Sequence, residues 1–199
     1  MISSAGLNAA SLLANTGFET PIVSGAGSGN WGTFSGSGPA EPTVGTVNPN
    51  SGSQHVNMTI AGNDNAFTGI QQNFDNTIVG NDYTFSFSAL RSGALGLNAE
   101  FRIEWLDVGG AFVGGQFDNN QDITTSLTES YTLFSQTRTA PAGAVSGRAV
   151  IALQSFGAGD NNGIVFIDDA DVDGVVIPEP SGVLLCGVSL FGFIARRRR

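Results

Sequence analysis

Lysine is absent from the 199 residues, cysteine and histidine occur once each, and charged side chains make up only 13%. Each scarcity closes off a class of function. The single Cys186 can form no intrachain disulfide, so stability has to come from a core or a metal. One cysteine and one histidine cannot assemble a Cys/His zinc site. The chain up to Ala195 sets four arginines (Arg91, Arg102, Arg138 and Arg148) against 17 carboxylates. Such a surface repels a phosphate backbone, which argues against nucleic-acid binding. The lone His55 lies in a strand-like segment, there is no G-x-S-x-G elbow, and a Ser-His-Asp triad would hang on that one residue. A non-catalytic protein is therefore expected.

What is present is β-pattern. Tyr83, Phe85, Phe87 and Ala89 alternate with Thr84, Ser86 and Ser88, and Phe101, Ile103 and Trp105 alternate with Arg102 and Glu104. A period of two with aromatic and β-branched residues marks half-buried strands. Further strands are predicted over 11–15, 54–60, 67–74, 111–117, 130–138, 147–156 and 163–172. Turn-rich pieces such as 24–30, 48–53, 107–110 and 157–163 separate them. No dozen residues carry a helical period. An all-β, single jelly-roll-like sandwich of about eight or nine antiparallel strands is expected. The Gly/Ser-rich stretch 24–38 reads as a flexible insertion anchored by Trp31 and Phe34.

Several local patterns have two readings. Gly27–Gly32 fits G-x-G-x-x-G, but no helix pattern follows, so a dinucleotide site is not expected. Asp169-Ala-Asp-Val-Asp-Gly174 opens like a calcium loop, yet its twelfth position is Pro180 where a bidentate glutamate is needed; a final strand with an acidic edge is favoured. Glu100 and Glu104 share a strand face, which reads as solvated rather than as a glycosidase pair. Tyr83 and Trp105 share faces with apolar residues and read as core. Trp31 lies outside any apolar alternation and is the candidate exposed platform for stacking on a sugar ring.

The chain divides into 1–11, 12–175 and 176–199. The first segment has no positive n-region and no apolar run of signal-peptide length; its small residues suit the remnant of a signal peptide whose start lies upstream. In the last, Pro178, Glu179 and Pro180 precede an apolar stretch, expected to form a short helix, and then Arg196, Arg197, Arg198 and Arg199. The thirteen residues 183–195 would make a helix of only ~20 Å, short of a ~30 Å hydrocarbon core. The arginines would remain on the cytoplasmic side.

This tail resembles the PEP-CTERM sorting signal of Gram-negative bacteria that make exopolysaccharide. That resemblance implies export, transient anchoring in the inner membrane, processing by exosortase, and delivery to the cell surface or extracellular matrix. The body resembles galactose-binding-like β-sandwiches, including carbohydrate-binding modules. The likeness rests on Asn15-Thr-Gly-Phe-Glu-Thr-Pro21 (with Thr16 where glycine is usual), Gly69-Ile-Gln-Gln-Asn-Phe74, Gly80–Phe87 and Val165-Phe-Ile-Asp-Asp169. It implies binding to carbohydrate or exopolysaccharide. It also implies one structural calcium ion held by Glu19 with Asp168 or Asp169 and backbone carbonyls. A structural matrix protein without a saccharide site is the alternative reading, and an enzyme of unrecognised type is the third.

Overall fold

In the computed structural model, the described residues are 11–25, 27–157 and 161–174, and they build two stacked β-sheets. The front sheet runs β1 (Val23–Ser24), β3 (Gly32–Gly36), β6 (Phe67–Phe74), β12 (Ser146–Gln154), β8 (Asn98–Leu106) and β10 (Gln121–Asp122). In addition, β2 (Gly27–Ser28) pairs with β6, and β9 (Phe112–Gly114) with β8. The back sheet runs β11 (Thr132–Thr139), β7 (Asp82–Arg91), β13 (Asn162–Asp173), β5 (His55–Ala61) and β4 (Thr43–Gly45). From β5 to β8, and again from β11 to β13, each successive strand changes sheet, the connectivity expected of a jelly-roll-like sandwich. The only helical element among the described residues is a 3-10 turn at Thr124–Ser126.

Alternation explains which side of each strand is buried. From β7, Tyr83, Phe85, Phe87 and Ala89 point inward; from β8, Ala99, Phe101, Ile103 and Trp105 meet them. The rings interlock across the sheets: Phe87 and Phe101 lie 4.9 Å apart at 80°, and Tyr83 and Trp105 5.4 Å apart at 67°. These edge-to-face contacts suit the ring quadrupoles. The Tyr83 hydroxyl, carried into the core, accepts the Ile78 N–H at 2.8 Å.

The eight strands of five or more residues agree with the expected number, and β6 has the predicted bounds. Three expectations are corrected. Residues 11–15 form no strand, because the backbone bends away: Asn15 and Phe18 take positive φ of 51° and 55°. The Asn15 side chain closes that bend, accepting the Thr20 N–H and donating to the Thr20 carbonyl. The pairing is not wholly antiparallel, since β1–β3 and β2–β6 are parallel. The Gly/Ser stretch is not a loose insertion: β3 lies within it, laid against β6.

His55 is buried at the start of β5, its ring 4.3 Å from that of Phe166, with no partner for Nδ1. Burial depresses its pKa below the ordinary 6.5. The unfolded chain takes up this proton more readily than the folded one, so stability falls as pH drops below 6.5 and stops falling below the depressed folded value. Because His55 is the only histidine, melting temperature between about pH 7 and pH 5 should decline in the native chain. A His55→Gln variant should show a flatter profile over that interval.

Candidate functional site

The outward face of β8 carries Glu100, Arg102 and Glu104, the residues that alternate with its core positions. They are not solvated, as the sequence pattern suggested; Glu100 and Glu104 are buried. Arg102 lies between them, donating from Nε to Glu104 at 2.8 Å and from Nη1 to Glu100 at 3.0 Å. Neighbouring β12 brings Arg148 opposite Glu104 and places the small Ala152 opposite Glu100. Arg148 donates to Glu104 at 3.4 Å and to Asn73 of β6 at 2.9 Å, its guanidinium 5.6 Å from the Phe112 ring. Gln154 Nε2 donates to Glu100 at 2.7 Å, and Asn120 Nδ2 donates to the other oxygen of the same carboxylate. Two acids and two bases thus form a closed network across three strands.

Above this floor opens a cleft of about 330 Å³, lined by Glu100, Arg102, Gln116, Phe117, Asn120, Gln154 and Phe156. Phe117 and Phe156 stand at its rim with 82% and 65% of their surfaces exposed. Both are held from below. Gly115, at φ +87°, lets the 115–120 loop press onto β8, where a Cβ would strike the Ile103 carbonyl. The same loop is tied down by Asn119 Nδ2 donating to the Ile103 carbonyl at 3.0 Å and by the Asp118 carboxylate accepting the Gly115 N–H at 3.0 Å. Phe156 follows Ser155, whose N–H donates to the Ala66 carbonyl, while the Gly157 N–H donates to the Asn65 side chain. Exposed rings on braced turns above hydrogen-bonding groups can stack on one face of a flat ligand while its edge is read by polar atoms.

The same sheet face continues toward β3. Phe34 lies over Gly69, where any side chain would collide with its ring, and its ring sits 6.2 Å from that of Phe67. Phe67 stands opposite Gln154, and Ala152 opposite Gly69, so small residues and aromatic rings floor the path between the cleft and β3.

Paired-carboxylate hydrolysis does not suit this floor. A glycosidase needs one carboxyl as proton donor and the other free as base or nucleophile, whereas both carboxylates here are buried and hydrogen-bonded. Arg102 also binds both carboxylates.

The residues expected from the sequence lie elsewhere. Trp31 is no exposed platform; it is 0% exposed and packs 5.3 Å from Phe18 in the core. The entry into β3, which the glycine-rich composition concealed, turns its indole inward. Pro178, Glu179, Pro180 and Arg196 to Arg199 fall outside the described residues, as does the expected C-terminal helix. Among the described residues, no helix is long and apolar enough to cross a membrane.

Glu19, Asp168 and Asp169 do converge on one loop, residues 50–54, from positions near the two ends of the described chain. Asp168 is fully buried beside a register shift in β13 and accepts the N–H groups of Asn50 (2.8 Å), Ser51 (3.0 Å) and Asp169 (2.8 Å). Burial pushes its pKa up, a rise that the Asp169 charge reinforces and these N–H bonds oppose. Asp169 accepts from the side chains of Asn50 and Ser51. Glu19 accepts the Ser53 hydroxyl and the N–H groups of Ser53 (2.8 Å) and Gln54 (3.1 Å); the Ser53 hydroxyl is the main reason its pKa is lowered.

This donor set does not fit a calcium site. The ion needs six to eight oxygens aimed at it, whereas here the loop presents N–H and O–H donors to the carboxylates. No group of three or more His, Cys, Asp or Glu residues suited to a metal occurs among the described residues. A ligand bound only by the folded state must raise stability. Neither calcium nor a chelator is therefore expected to shift the melting temperature in a calorimetric scan; a calcium-dependent rise would show that the loop turns its carbonyls inward to an ion.

No family model and no curated protein matches the chain. Solved structures share the fold at low identity. The enzymatically active domain of tailspike protein 4 from bacteriophage CBA120 is 16% identical with TM-score 0.57, over 73% of this chain and 19% of that one. This chain thus spans about a fifth of that domain's length. A putative sugar-binding protein from Bacteroides thetaiotaomicron is 12% identical with TM-score 0.56, over 83% of this chain and 100% of the other. A family 61 carbohydrate-binding module, solved with β-1,4-galactotriose, is 16% identical with TM-score 0.53, over 83% and 99%.

Proposed function

We propose that the protein is a non-catalytic glycan-binding module that receives its ligand in the cleft on the front sheet. The observation that carries this reading is the pair of exposed rings, Phe117 and Phe156, braced on either side of a buried polar network. A soluble protein gains nothing in stability from presenting two such rings to water, whereas a pyranose offers them an apolar C–H face. The fold supports the same reading, because the carbohydrate-binding module and the putative sugar-binding protein are matched over almost their whole lengths.

The sorting tail gives this binding a setting. In the proposed course, the chain is exported from a Gram-negative cell and held briefly in the inner membrane by its C-terminal segment. Exosortase then processes it at Pro178–Pro180, and it joins surface or matrix polysaccharide. The deciding experiment is affinity electrophoresis of the purified chain through gels containing soluble polysaccharides. Retardation by at least one of them is the expected result. Free migration through every gel would overturn the proposal in favour of a structural matrix role.

A further inference from the structure

We infer that the cleft selects neutral, hydroxyl-rich glycans and rejects those bearing uronate or sulfate groups. This selectivity rests on the glycan-binding reading and adds to it the chemical class of the ligand.

The reasoning starts at Glu100. An ionised carboxylate only accepts hydrogen bonds, so an amide that touches it must present its NH2 group. Gln154 and Asn120 both do so, one to each oxygen of Glu100. Their carbonyl oxygens, the opposite halves of the two amides, are left to face other partners. Since both residues line the cleft, it offers them as acceptors. Sugar hydroxyls can donate to such oxygens; a carboxylate or sulfate cannot.

The arginines do not offset this. Binding an anionic group well calls for a guanidinium whose charge is not already neutralised by a carboxylate. Arg102 already donates from Nε to Glu104 and from Nη1 to Glu100. Arg148 donates from Nε to Asn73 and from Nη1 to Glu104. Two carboxylates against two guanidiniums leave the floor without net charge. Around it, the body is strongly acidic, with four arginines against 17 carboxylates before Arg196. An incoming anion would be repelled at long range, and at short range it would meet amide acceptors above a floor that carries no net charge.

The test measures the full chain by calorimetry at about 150 mM salt, where charges beyond ~8 Å are screened and the cleft itself decides. Neutral oligosaccharides (galacto-, xylo- and gluco-) are compared with oligogalacturonate and a sulfated oligosaccharide of equal length. The expected result is binding of at least one neutral ligand and at least 10-fold weaker binding of every acidic one. Equal or tighter binding of an acidic ligand would overturn the selectivity while leaving glycan binding in place. Binding of none would overturn both. A second measurement locates the discrimination: Gln116→Arg, a partly exposed loop substitution on the cleft wall, should narrow the preference for neutral ligand about 10-fold. An unchanged preference in that folded variant would show that the cleft is not its source.

Discussion

Replacing Phe117 and Phe156 together with alanine is expected to remove glycan binding while leaving the fold intact. Both side chains project from turns into solvent, so neither replacement opens a core cavity. Aromatic anchors at a binding surface commonly contribute about 2 kcal/mol each, and each 1.4 kcal/mol is tenfold in affinity. The double variant should therefore bind at least ~100-fold more weakly, which an affinity gel would read as loss of retardation. Circular dichroism and melting temperature should stay near those of the native chain. Unchanged retardation in a folded double variant would move the site off this cleft.

Trp31→Ala should do the reverse. The indole is wholly buried against Phe18 and belongs to the cluster that joins the two sheets. Truncating a buried tryptophan costs about 3–5 kcal/mol in lost contacts and cavity, a large part of the 5–15 kcal/mol that holds an ordinary domain together. For a chain of this size the melting temperature should drop by about 6–20 °C. Below that transition, binding should persist, since Trp31 is absent from the cleft lining. A variant that keeps its melting temperature but loses its ligand would contradict the placement of this residue.

These two results separate roles that look alike in the sequence. Trp31, Phe117 and Phe156 are all lone aromatics in glycine- and polar-rich stretches. What distinguishes them is the path of the backbone. Trp31 enters a strand laid against β6, while Phe117 lies in a loop pressed down through Gly115 and Phe156 lies just beyond the end of β12. The available signal was weak: phenylalanines flanked by glycine, asparagine or serine, at the ends of stretches that alternate. Periodicity assigns Phe117 and Phe156 to the strands beside them and leaves Trp31 outside any strand.

Glu100 and Glu104 show the same limit from another side. Their alternation placed them correctly on the face away from the core, and that face was read as wet because they are charged. The register then brings Arg148 opposite Glu104, while Arg102 closes down between the two acids. Charge and spacing within one strand carry no information about the neighbour that a crossover will supply. The carboxylates over residues 50–54 follow the same logic. The resemblance to galactose-binding-like sandwiches groups Glu19 with Asp168 or Asp169 around an ion, and the loop meets all three with N–H and O–H donors instead.

By itself, then, the sequence determined the class of fold, the existence of most of the long strands, the inward faces of β7 and β8, and the acidic character that disfavours polyanions. All of these follow from local alternation and composition. The opening and closing of the two sheets on residues far apart in the chain decided the rest. It put Trp31 inside, raised Phe117 and Phe156 at the rim of one cleft, and locked two glutamates to two arginines across β6, β12 and β8. Those outcomes depend on which strands become neighbours, a property of long-range pairing that no single stretch of residues contains.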